Sequence, residues 1–364
     1  MQSLKRIGLI LVWLAGIAFV FAAANKNDPY LISLRGAGNI ALATASVVVA
    51  VLLIRRGYWR RGVAGRALIL LWCLPLLSMF GAHAAFEWRK QRVLRTDAAQ
   101  VRSLGKHFIV GYSSFPEVSV LAEKGLISGV YITKHNVPGS SATRLKEEIS
   151  AVQAKRRAAG LPPLIVAADQ EGGIVSHLAP PLTKLPALST LASLAPDVRA
   201  EKAEAFGRTH GQELAALGVT LNLAPVLDLR PELKRNRFDF NTLIGRRAIS
   251  DDPAVVAEIA RAYVNDRAAS HSTRVVDGII RKKWSYHGVI MTDDLVMGAI
   301  YQRNVCTAVV EALNAGVDLL LVAFDGTQFY RIFTCAMAAS AEGRLDAAML
   351  GDSETRLKGA FPVD

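Results

Sequence analysis

Three predicted strands in the C-terminal part of the chain end in acidic residues. The segment LIVAADQEGG carries Asp169 and Glu171, LNLAPVLDL carries Asp228, and GVIMTDDLVM carries Asp293 and Asp294. Carboxylates at converging strand ends suit the cleavage of glycosidic bonds, which needs one carboxylate facing an oxocarbenium-like centre and a separate proton donor. An Asp after a strand is also a typical helix N-cap. The cap is the better interpretation for Asp294, whereas Asp293 and Asp169 fit either role.

Short apolar runs alternate with amphipathic stretches from residue 103 onward. The apolar runs predict six strands, at His107–Tyr112, Ser128–Thr133, Leu164–Ala168, Thr220–Ala224, Val289–Thr292 and Val317–Val322. Helices are predicted between most of them, at Leu145–Ala159, Asp197–Leu217, Pro253–Ala268, Thr273–Trp284, Val305–Ala315 and Gln328–Ala341. This alternation predicts a parallel sheet covered by helices.

Two architectures fit the alternation. A closed (β/α)8 barrel needs about 250 residues and places its chemistry at the C-terminal ends of the strands. A doubly wound sheet that binds a dinucleotide would need a glycine-rich turn after the first strand, and the chain has GYSSFPE there. We therefore favour a TIM-barrel-like α/β domain over residues 97–364. Six predicted strands are two fewer than such a barrel has.

The first 96 residues have the composition of a membrane anchor. Three runs without charged residues, at 7–24, 36–54 and 67–86, are each about long enough to cross a hydrocarbon core of about 30 Å as a helix. Pro75 lies in the third run and is tolerated in membrane helices. The alternative is three buried helices of a soluble domain. We favour transmembrane helices because three such runs exceed the usual apolar length of core helices.

The charge distribution predicts an orientation and excludes one class of partner. The net charge is +12, but residues 1–102 hold 14 Lys and Arg against three acidic residues. The nearly neutral remainder argues against a nucleic-acid surface. Five arginines separate the second and third apolar runs, so the positive-inside rule places that connection in the cytoplasm. We therefore expect a multi-pass protein of the inner membrane with residues 87–364 on the outer, periplasmic side. The three cysteines are too few for a disulfide framework and lack metal-ligand spacing.

Four segments of the large domain carry a family resemblance. They are LIVAADQEGGIVSHL, ELAALGVTLNLAPVLDL, LIGRRAISDDPAVVAEIARAYV and IIRKKWSYHGVIMTDDLVMGAI. They resemble the D-x-E-G-G, N-x-x-A-P-V-x-D, I-G-x-R and (S/T)-D-D-L-x-M segments of glycoside hydrolase family 3, and they occur in the same order as in that family. The similarity is to the single-barrel β-N-acetylhexosaminidase type and covers about residues 105–350.

The resemblance implies roles for individual residues. Asp293 looks like the family nucleophile, Asp169 resembles the aspartate that grips sugar hydroxyls, and Arg247 matches an arginine that contacts the sugar. The implied reaction is retaining hydrolysis of N-acetylglucosaminides through a glycosyl-enzyme. Neither a metal nor an organic cofactor is implied. The alternatives from the residues alone are an N-cap for Asp293 and a surface position for Arg247.

One family segment is missing from the chain. The resemblance leads us to expect K-H-(F)-P-G-(H/L)-G after the fifth strand, followed by a loop whose His–Asp pair is the general acid/base. Instead EIARAYV, which precedes strand five in the family, is followed closely by HSTRVVDGIIRKKW, which follows strand six. We therefore predict a deletion of about two β/α units, with its junction near Asn265–Asp266. His135 is the remaining candidate for a substrate contact or a replacement acid, His271 is interpreted as structural, and His177 stands where many relatives carry Arg.

Three interpretations follow. In the first interpretation, the chain is a membrane-anchored glycosidase impaired by the loss of general acid catalysis, which typically accelerates a reaction about 10²–10⁴-fold. The second interpretation is a catalytically inactive, membrane-anchored sugar-binding remnant. The third is a truncated copy without a function of its own. Because six strands cannot keep the shear and diameter of an eight-stranded barrel, we also expect low stability.

Overall fold

The chain divides into two compact units, Met1–Arg95 and Thr96–Asp364. The computed structural model describes residues 2–137, 141–230, 243–264, 281, 285–297 and 304–361. The predicted deletion junction at Asn265–Asp266, most of the predicted helix Thr273–Trp284, and His271 lie outside the described residues.

Three long helices make up most of the N-terminal unit. They are α1 (Gln2–Ala24), α2 (Arg35–Arg55) and α3 (Gly62–Leu94). Each contains one of the predicted apolar runs, and α3 continues through Pro75. By length and composition all three could cross a membrane.

The three helices pack through a small apolar centre. Trp72 on α3 is 4% exposed, and its indole Nε1 donates a hydrogen bond to the carbonyl of Val12 on α1 at 3.2 Å. The Phe19 ring lies 5.1 Å from the Trp72 ring between centroids. Outside this centre large apolar side chains are exposed, among them Ile10, Leu14, Phe21, Ile40, Leu70, Leu77 and Phe80. The outer face of the unit is therefore apolar.

The larger unit alternates strands and helices, as the sequence predicts. The strands are β1 (Phe108–Gly111), β2 (Gly129–Ile132), β3 (Ile165–Ala168), β4 (Gln170–Gly172), β5 (Val175–Ser176), β6 (Leu221–Asn222), β7 (Met291–Asp294) and β8 (Leu319–Val322). The helices are α4 (Ala98–Gly105), α5 (Phe115–Glu123), α6 (Ala142–Ala158), α7 (Pro196–Leu217), α8 (Ile244–Arg247), α9 (Pro253–Val264), α10 (Val305–Asn314), α11 (Phe329–Ala341) and α12 (Ala347–Ala360).

Six of the strands form one curled parallel sheet, in the order β6-β3-β2-β1-β8-β7. All six predicted strands are present, so the prediction of a parallel α/β sheet is confirmed. The strands β1, β2, β3 and β8 are buried throughout, as expected for strands covered on both faces. Within the described residues the edge strands β6 and β7 do not pair with each other. The sequence did not predict the small antiparallel pair β4–β5.

A buried ion cluster lies below the N-terminal ends of β7 and β8. Asp318 is fully buried, and its carboxylate accepts hydrogen bonds from Arg281 Nη2 at 2.7 Å, Arg356 Nε at 2.9 Å and the Ile290 backbone N–H at 2.8 Å. The Asp318 carbonyl is 2.8 Å from Nδ1 of His107, whose pKa burial lowers. This cluster ties α12 to the start of two strands. In α/β barrels, the N-terminal ends of the strands serve stability rather than chemistry.

One disulfide joins Cys306 on α10 to Cys335 on α11, with Cα atoms 5.1 Å apart. The sequence predicted no disulfide framework, and the 29-residue separation gave no hint of a single bridge. The helix α10 precedes β8 in the sequence and α11 follows it. The two helices pack side by side, which brings the cysteines together. Cys73 is a free thiol.

Candidate active site

The interior of the curled sheet leads directly to the candidate site. Alternate strand residues face this interior and form an apolar cluster of Ile109, Tyr131, Ile165, Ala167, Leu319 and Leu321. Because side chains alternate along a strand, Asp169, two residues after Ala167, continues the interior row of β3. Asp293, two residues after Met291, continues the interior row of β7 in the same way. Both carboxylates thus lie at the C-terminal mouth of the sheet.

Asp169 is a mostly buried carboxyl with a donor beside it. The Tyr131 hydroxyl donates a hydrogen bond to Asp169 Oδ2 at 3.1 Å. Burial, followed by the nearby Glu171 carboxylate, raises the pKa of Asp169 to about 7, although Arg247 and the Tyr131 hydrogen bond oppose the rise. The Asp293 carboxylate also raises this pKa, so Asp293 lies close enough to Asp169 for an electrostatic interaction across the mouth.

Glu171 and Arg247 form a bidentate ion pair at the edge of the site. Arg247, the last residue of α8, places Nε 3.1 and 3.0 Å from the two carboxylate oxygens of Glu171, and its Nη2 also contacts that carboxylate. Glu171 is 5% exposed, so its charge needs this partner. The pair fixes the guanidinium plane of Arg247, and the nearby carboxylates raise the pKa of Arg247 against the effect of burial.

A polar network behind the site holds the segment that carries Asp169 and Glu171. The Asn222 side chain accepts from the Gln170 N–H at 3.0 Å and donates to the Gln170 carbonyl at 3.1 Å. The Tyr263 hydroxyl lies 3.2 Å from the Asn222 amide nitrogen and 2.8 Å from Nδ1 of His210. The segment Asp169–Glu171 is therefore held by side chains from β6, α7 and α9.

The adjacent acids Asp293 and Asp294 have different surroundings. Asp294 is buried and accepts three backbone N–H groups, from Val296 at 3.1 Å, Ala323 at 3.0 Å and Phe324 at 2.7 Å. Asp294 thereby ties the end of β7 to the end of β8, and its predicted role as a helix N-cap stays a prediction because residues 298–303 lie outside the described residues. Asp293 is exposed at the mouth, and its Oδ1 accepts the N–H of Asp294 at 2.7 Å. Its exposure leaves it accessible to a ligand.

Two histidines lie at the rim. His135 is exposed on the 3-10 turn Lys134–Asn136, and its Nδ1 is 3.2 Å from the Thr133 hydroxyl. His177 packs edge-on against the Tyr131 ring at 6.4 Å between centroids. Burial lowers the pKa of His177, and the neighbouring Lys134, Arg247 and His135 lower it further. His177 therefore contributes a neutral imidazole near neutral pH, where the resemblance leads us to expect a cation.

The comparison with known families agrees with this geometry. The model of the glycosyl hydrolase family 3 N terminal domain matches residues 116–268 and 262–359. The chain belongs to glycosyl hydrolase family 3. The two matched segments meet at residues 262–268, the place where the sequence predicts a deletion.

Two curated relatives carry the same name. The chain is 34% identical over 182 residues to a β-hexosaminidase of Nitrosomonas eutropha, covering 49% of this chain and 47% of that protein. It is 32% identical over 207 residues to a β-hexosaminidase of Xanthomonas campestris, covering 54% of this chain and 57% of that protein. The chain thus spans about half the length of the curated relatives it matches.

Solved family 3 structures share the fold. A family 3 glycosyl hydrolase from Mycobacterium smegmatis has a TM-score of 0.61 at 22% identity, over 75% of this chain and 99% of that one. A family 3 β-N-acetylglucosaminidase from Paenibacillus has a TM-score of 0.59 at 20% identity, over 71% of this chain and 61% of that one. At these identities the likeness concerns the fold.

The structure brings together three of the four site residues that the sequence singled out. Asp293, Asp169 and Arg247 share the mouth of the sheet, whereas His135 lies at the rim with Thr133 as its side-chain partner. Sequence reasoning gave no role to Tyr131, which follows the interior alternation of β2. Its position two residues before the end of the predicted strand was the available signal. Asp228 is exposed beyond β6.

Proposed function

We propose that this family 3 chain is a membrane-anchored glycosidase of the β-N-acetylhexosaminidase type that acts slowly on N-acetylglucosamine-containing saccharides. The Asp293 carboxylate attacks the anomeric carbon, and the glycosidic bond breaks to leave a covalent glycosyl-enzyme. Water then attacks the same carbon, which releases the sugar and restores Asp293. No metal or organic cofactor enters this reaction.

The observation that carries the proposal is the pairing of an exposed carboxylate with a buried, hydrogen-bonded one at the same mouth. The exposed Asp293 is accessible to an anomeric carbon, while Tyr131 holds Asp169 in one orientation. The Glu171–Arg247 pair adds fixed hydrogen-bond donors beside them, which suits the recognition of a polyol. The names of the curated relatives, both β-hexosaminidases, favour N-acetylhexosaminides as the substrate class.

Slow turnover is proposed because the chain lacks the family acid/base segment. A deletion between α9, which ends at Val264, and the strand that carries Asp293 accounts both for the two-segment family match and for a TIM-barrel-like sheet with six main strands. Without a positioned acid the leaving group departs as an unprotonated alkoxide or takes its proton from water. Substrates with good leaving groups are therefore the ones this site turns over.

The anchor and its orientation are part of the proposal. The three helices expose large apolar side chains, as a lipid-facing bundle does and as a monomeric soluble domain rarely does. The arginine-rich connection favours a periplasmic position for the large unit by the positive-inside rule. The Cys306–Cys335 disulfide supports the same assignment, because disulfides persist in the periplasm and are rare in the cytoplasm.

The direct test is covalent labelling of the full chain in detergent. We would incubate it with nitrophenyl N-acetylglucosaminide, follow the release of nitrophenolate, and locate any adduct by peptide mass spectrometry. The expected result is a burst with a sugar adduct on Asp293. Asp293→Asn removes the nucleophile and should abolish both, whereas Asp228→Asn, which removes an exposed carboxylate beyond β6, serves as the matched control.

The second candidate function is sugar binding without cleavage, favoured by the missing acid/base segment. It predicts saturable binding of N-acetylglucosamine that Asp169→Asn weakens, with neither burst nor adduct. An absent adduct together with intact binding would replace the glycosidase proposal by this one. Absence of both binding and adduct in a folded chain would refute both.

A further inference from the structure

The connection between α2 and α3 concentrates positive charge at one end of the anchor helices. Residues 55–66, with the sequence RRGYWRRGVAGR, contain five arginines and no acidic residue. We call this segment the arginine turn. In the first 95 residues the acidic residues are Asp28 and Glu87 alone, so the turn has no neighbouring carboxylate in the sequence to neutralise it.

The arginine turn is a folded element. A 3-10 turn at Tyr58–Arg60 lies between Gly57 and Gly62, whose φ angles of 73° and 75° are in the left-handed region that favours glycine. Gly65, in the first turn of α3, lies against the carbonyl of Tyr58, where a Cβ would come within 2.0 Å of the oxygen. These contacts hold the backbone in one shape, so the arginine side chains start from fixed positions.

Two of the guanidinium groups stack on aromatic rings of the same turn. Arg60 lies 4.5 Å from the centre of the Trp59 ring, and Arg61 lies 4.0 Å from the centre of the Tyr58 ring. Stacking uses the face of a guanidinium and leaves N–H donors along its edge. In the part of the chain that the structure describes, none of the five arginines pairs with a carboxylate. Their charge is therefore available to an external anion.

The position of the turn determines which anion fits. Trp59 is 47% exposed and Val63 is 83% exposed, next to the ends of two helices of membrane-spanning length. An exposed tryptophan at such a helix end is typical of the headgroup level of a bilayer. Phosphate oxygens match the fork of guanidinium donors, and the cytoplasmic leaflet carries the anionic lipids.

We propose that the arginine turn is a binding site for the headgroups of anionic phospholipids, in which stacked guanidinium groups grip the phosphate and Trp59 lies among the glycerol and acyl groups. This inference rests on the proposed membrane insertion of α1–α3. It adds to the topology rule, because that rule requires positive charge alone and no folded site. The partner is a lipid and not a soluble anion, because the exposed apolar surface beside the arginines needs an apolar ligand.

The test measures lipid selectivity of the full-length chain. The detergent-solubilised protein is mixed with equimolar phosphatidylglycerol and phosphatidylcholine, and the bound lipids are counted by native mass spectrometry. We expect phosphatidylglycerol to be preferred, and we expect its affinity to fall about five-fold for each arginine replaced by glutamine at positions 55, 56, 60 and 61. The matched control replaces the exposed Arg102, Arg157, Lys184 and Lys202 of the larger unit by glutamine, which removes equal charge away from the anchor helices and should have a smaller effect.

Two further experiments distinguish a folded lipid-binding site from a nonspecific attraction between positive charge and anions. Lysine at positions 55, 56, 60 and 61 keeps the charge but loses the stacked forks, and we expect a several-fold loss of phosphatidylglycerol. Equal binding by the lysine variant, or equal losses in the turn and control variants, would overturn the site. Displacement of the lipid by soluble glycerol phosphate would show a free-anion site and overturn the lipid assignment. Extraction of the chain from membranes by alkaline carbonate would refute the anchor itself, and lipid counting does not report on that outcome.

Discussion

Replacing Asp169 by asparagine should stabilise the protein more at high pH than at low pH. Burial and the nearby Glu171 carboxylate raise the pKa of Asp169 to about 7, well above its value in an unfolded chain. The folded state therefore holds this proton more tightly than the unfolded state. The wild type loses stability as the pH rises from about 4, the pKa of an unfolded Asp, to about 7. Asparagine keeps the shape and still accepts the Tyr131 hydrogen bond, but it has no charge to bury.

The size of the effect follows from the shift. A rise of about 3 pKa units corresponds to about 4 kcal/mol, of which about 2.5 kcal/mol falls between about pH 5 and pH 8. The carboxyl keeps some contact with solvent, so we halve this figure to roughly 1.3 kcal/mol. For a domain of this size that is about 3–5 °C in Tm.

Thermal denaturation followed by circular dichroism, in the same detergent at both pH values, measures the difference. We expect the Tm of Asp169→Asn minus that of the wild type to be 3–5 °C larger at the higher pH. Asp293→Asn removes an exposed carboxylate that raises the pKa of Asp169 less than burial and Glu171 do, so this control should show a smaller increase. A difference that is equal at both pH values, or larger at the lower one, would refute the assignment of a buried, destabilising charge to Asp169.

Four other results are expected. Tyr131→Phe removes a hydrogen bond that lowers the pKa of Asp169, so the pH-dependent loss of Tm should move to higher pH in the same assay. Asp318→Asn takes the charge from a carboxylate shared by two arginines and should cost about 3–5 kcal/mol in chemical denaturation, whereas no change would refute the buried cluster. Alkylation of the unfolded, unreduced protein should modify Cys73 alone, and prior reduction should add the two bridged cysteines; three labels without reduction would refute the disulfide. Leu357→Ala, at a half-buried position on α12, should cost about 1–2 kcal/mol, and a neutral effect would show that the helix does not support the sheet interior.

The sequence predicted the six main strands well because each is a short apolar run with a clear boundary. The acids at the strand ends were visible for the same reason, since Asp169 and Asp293 follow such runs directly. The ion pair between Glu171 and Arg247 was not predictable from spacing, because it joins positions 76 residues apart on different elements. The disulfide escaped prediction on similar grounds, since it depends on two helices packing side by side.

The network behind the acids shows a different limit of sequence reasoning. His210 and Tyr263 are ordinary helix residues by pattern, yet their side chains meet 2.8 Å apart beneath the turn that carries the acids. Tyr263 is the second-last residue of α9, directly before the predicted deletion junction. The Tyr263 hydroxyl connects α9 to the Asn222 amide and to the Gln170 carbonyl. The segment Asp169–Glu171 is therefore positioned by side chains that precede the predicted deletion junction in the sequence.

The C-terminal helix suggests how a six-stranded sheet keeps an interior. Leu357 and Phe361 pack against the apolar cluster that the strands enclose, and Arg356 on the same helix bonds to Asp318 below β8. The helix thus adds apolar side chains to the interior from below and attaches to the sheet through a buried charge. Within the described residues β6 and β7 do not pair with each other, so apolar side chains from outside the strands cover part of the sheet interior. The stability of the larger unit is therefore expected to depend on α12 more than it would in a closed eight-stranded barrel, where strand residues alone fill the interior.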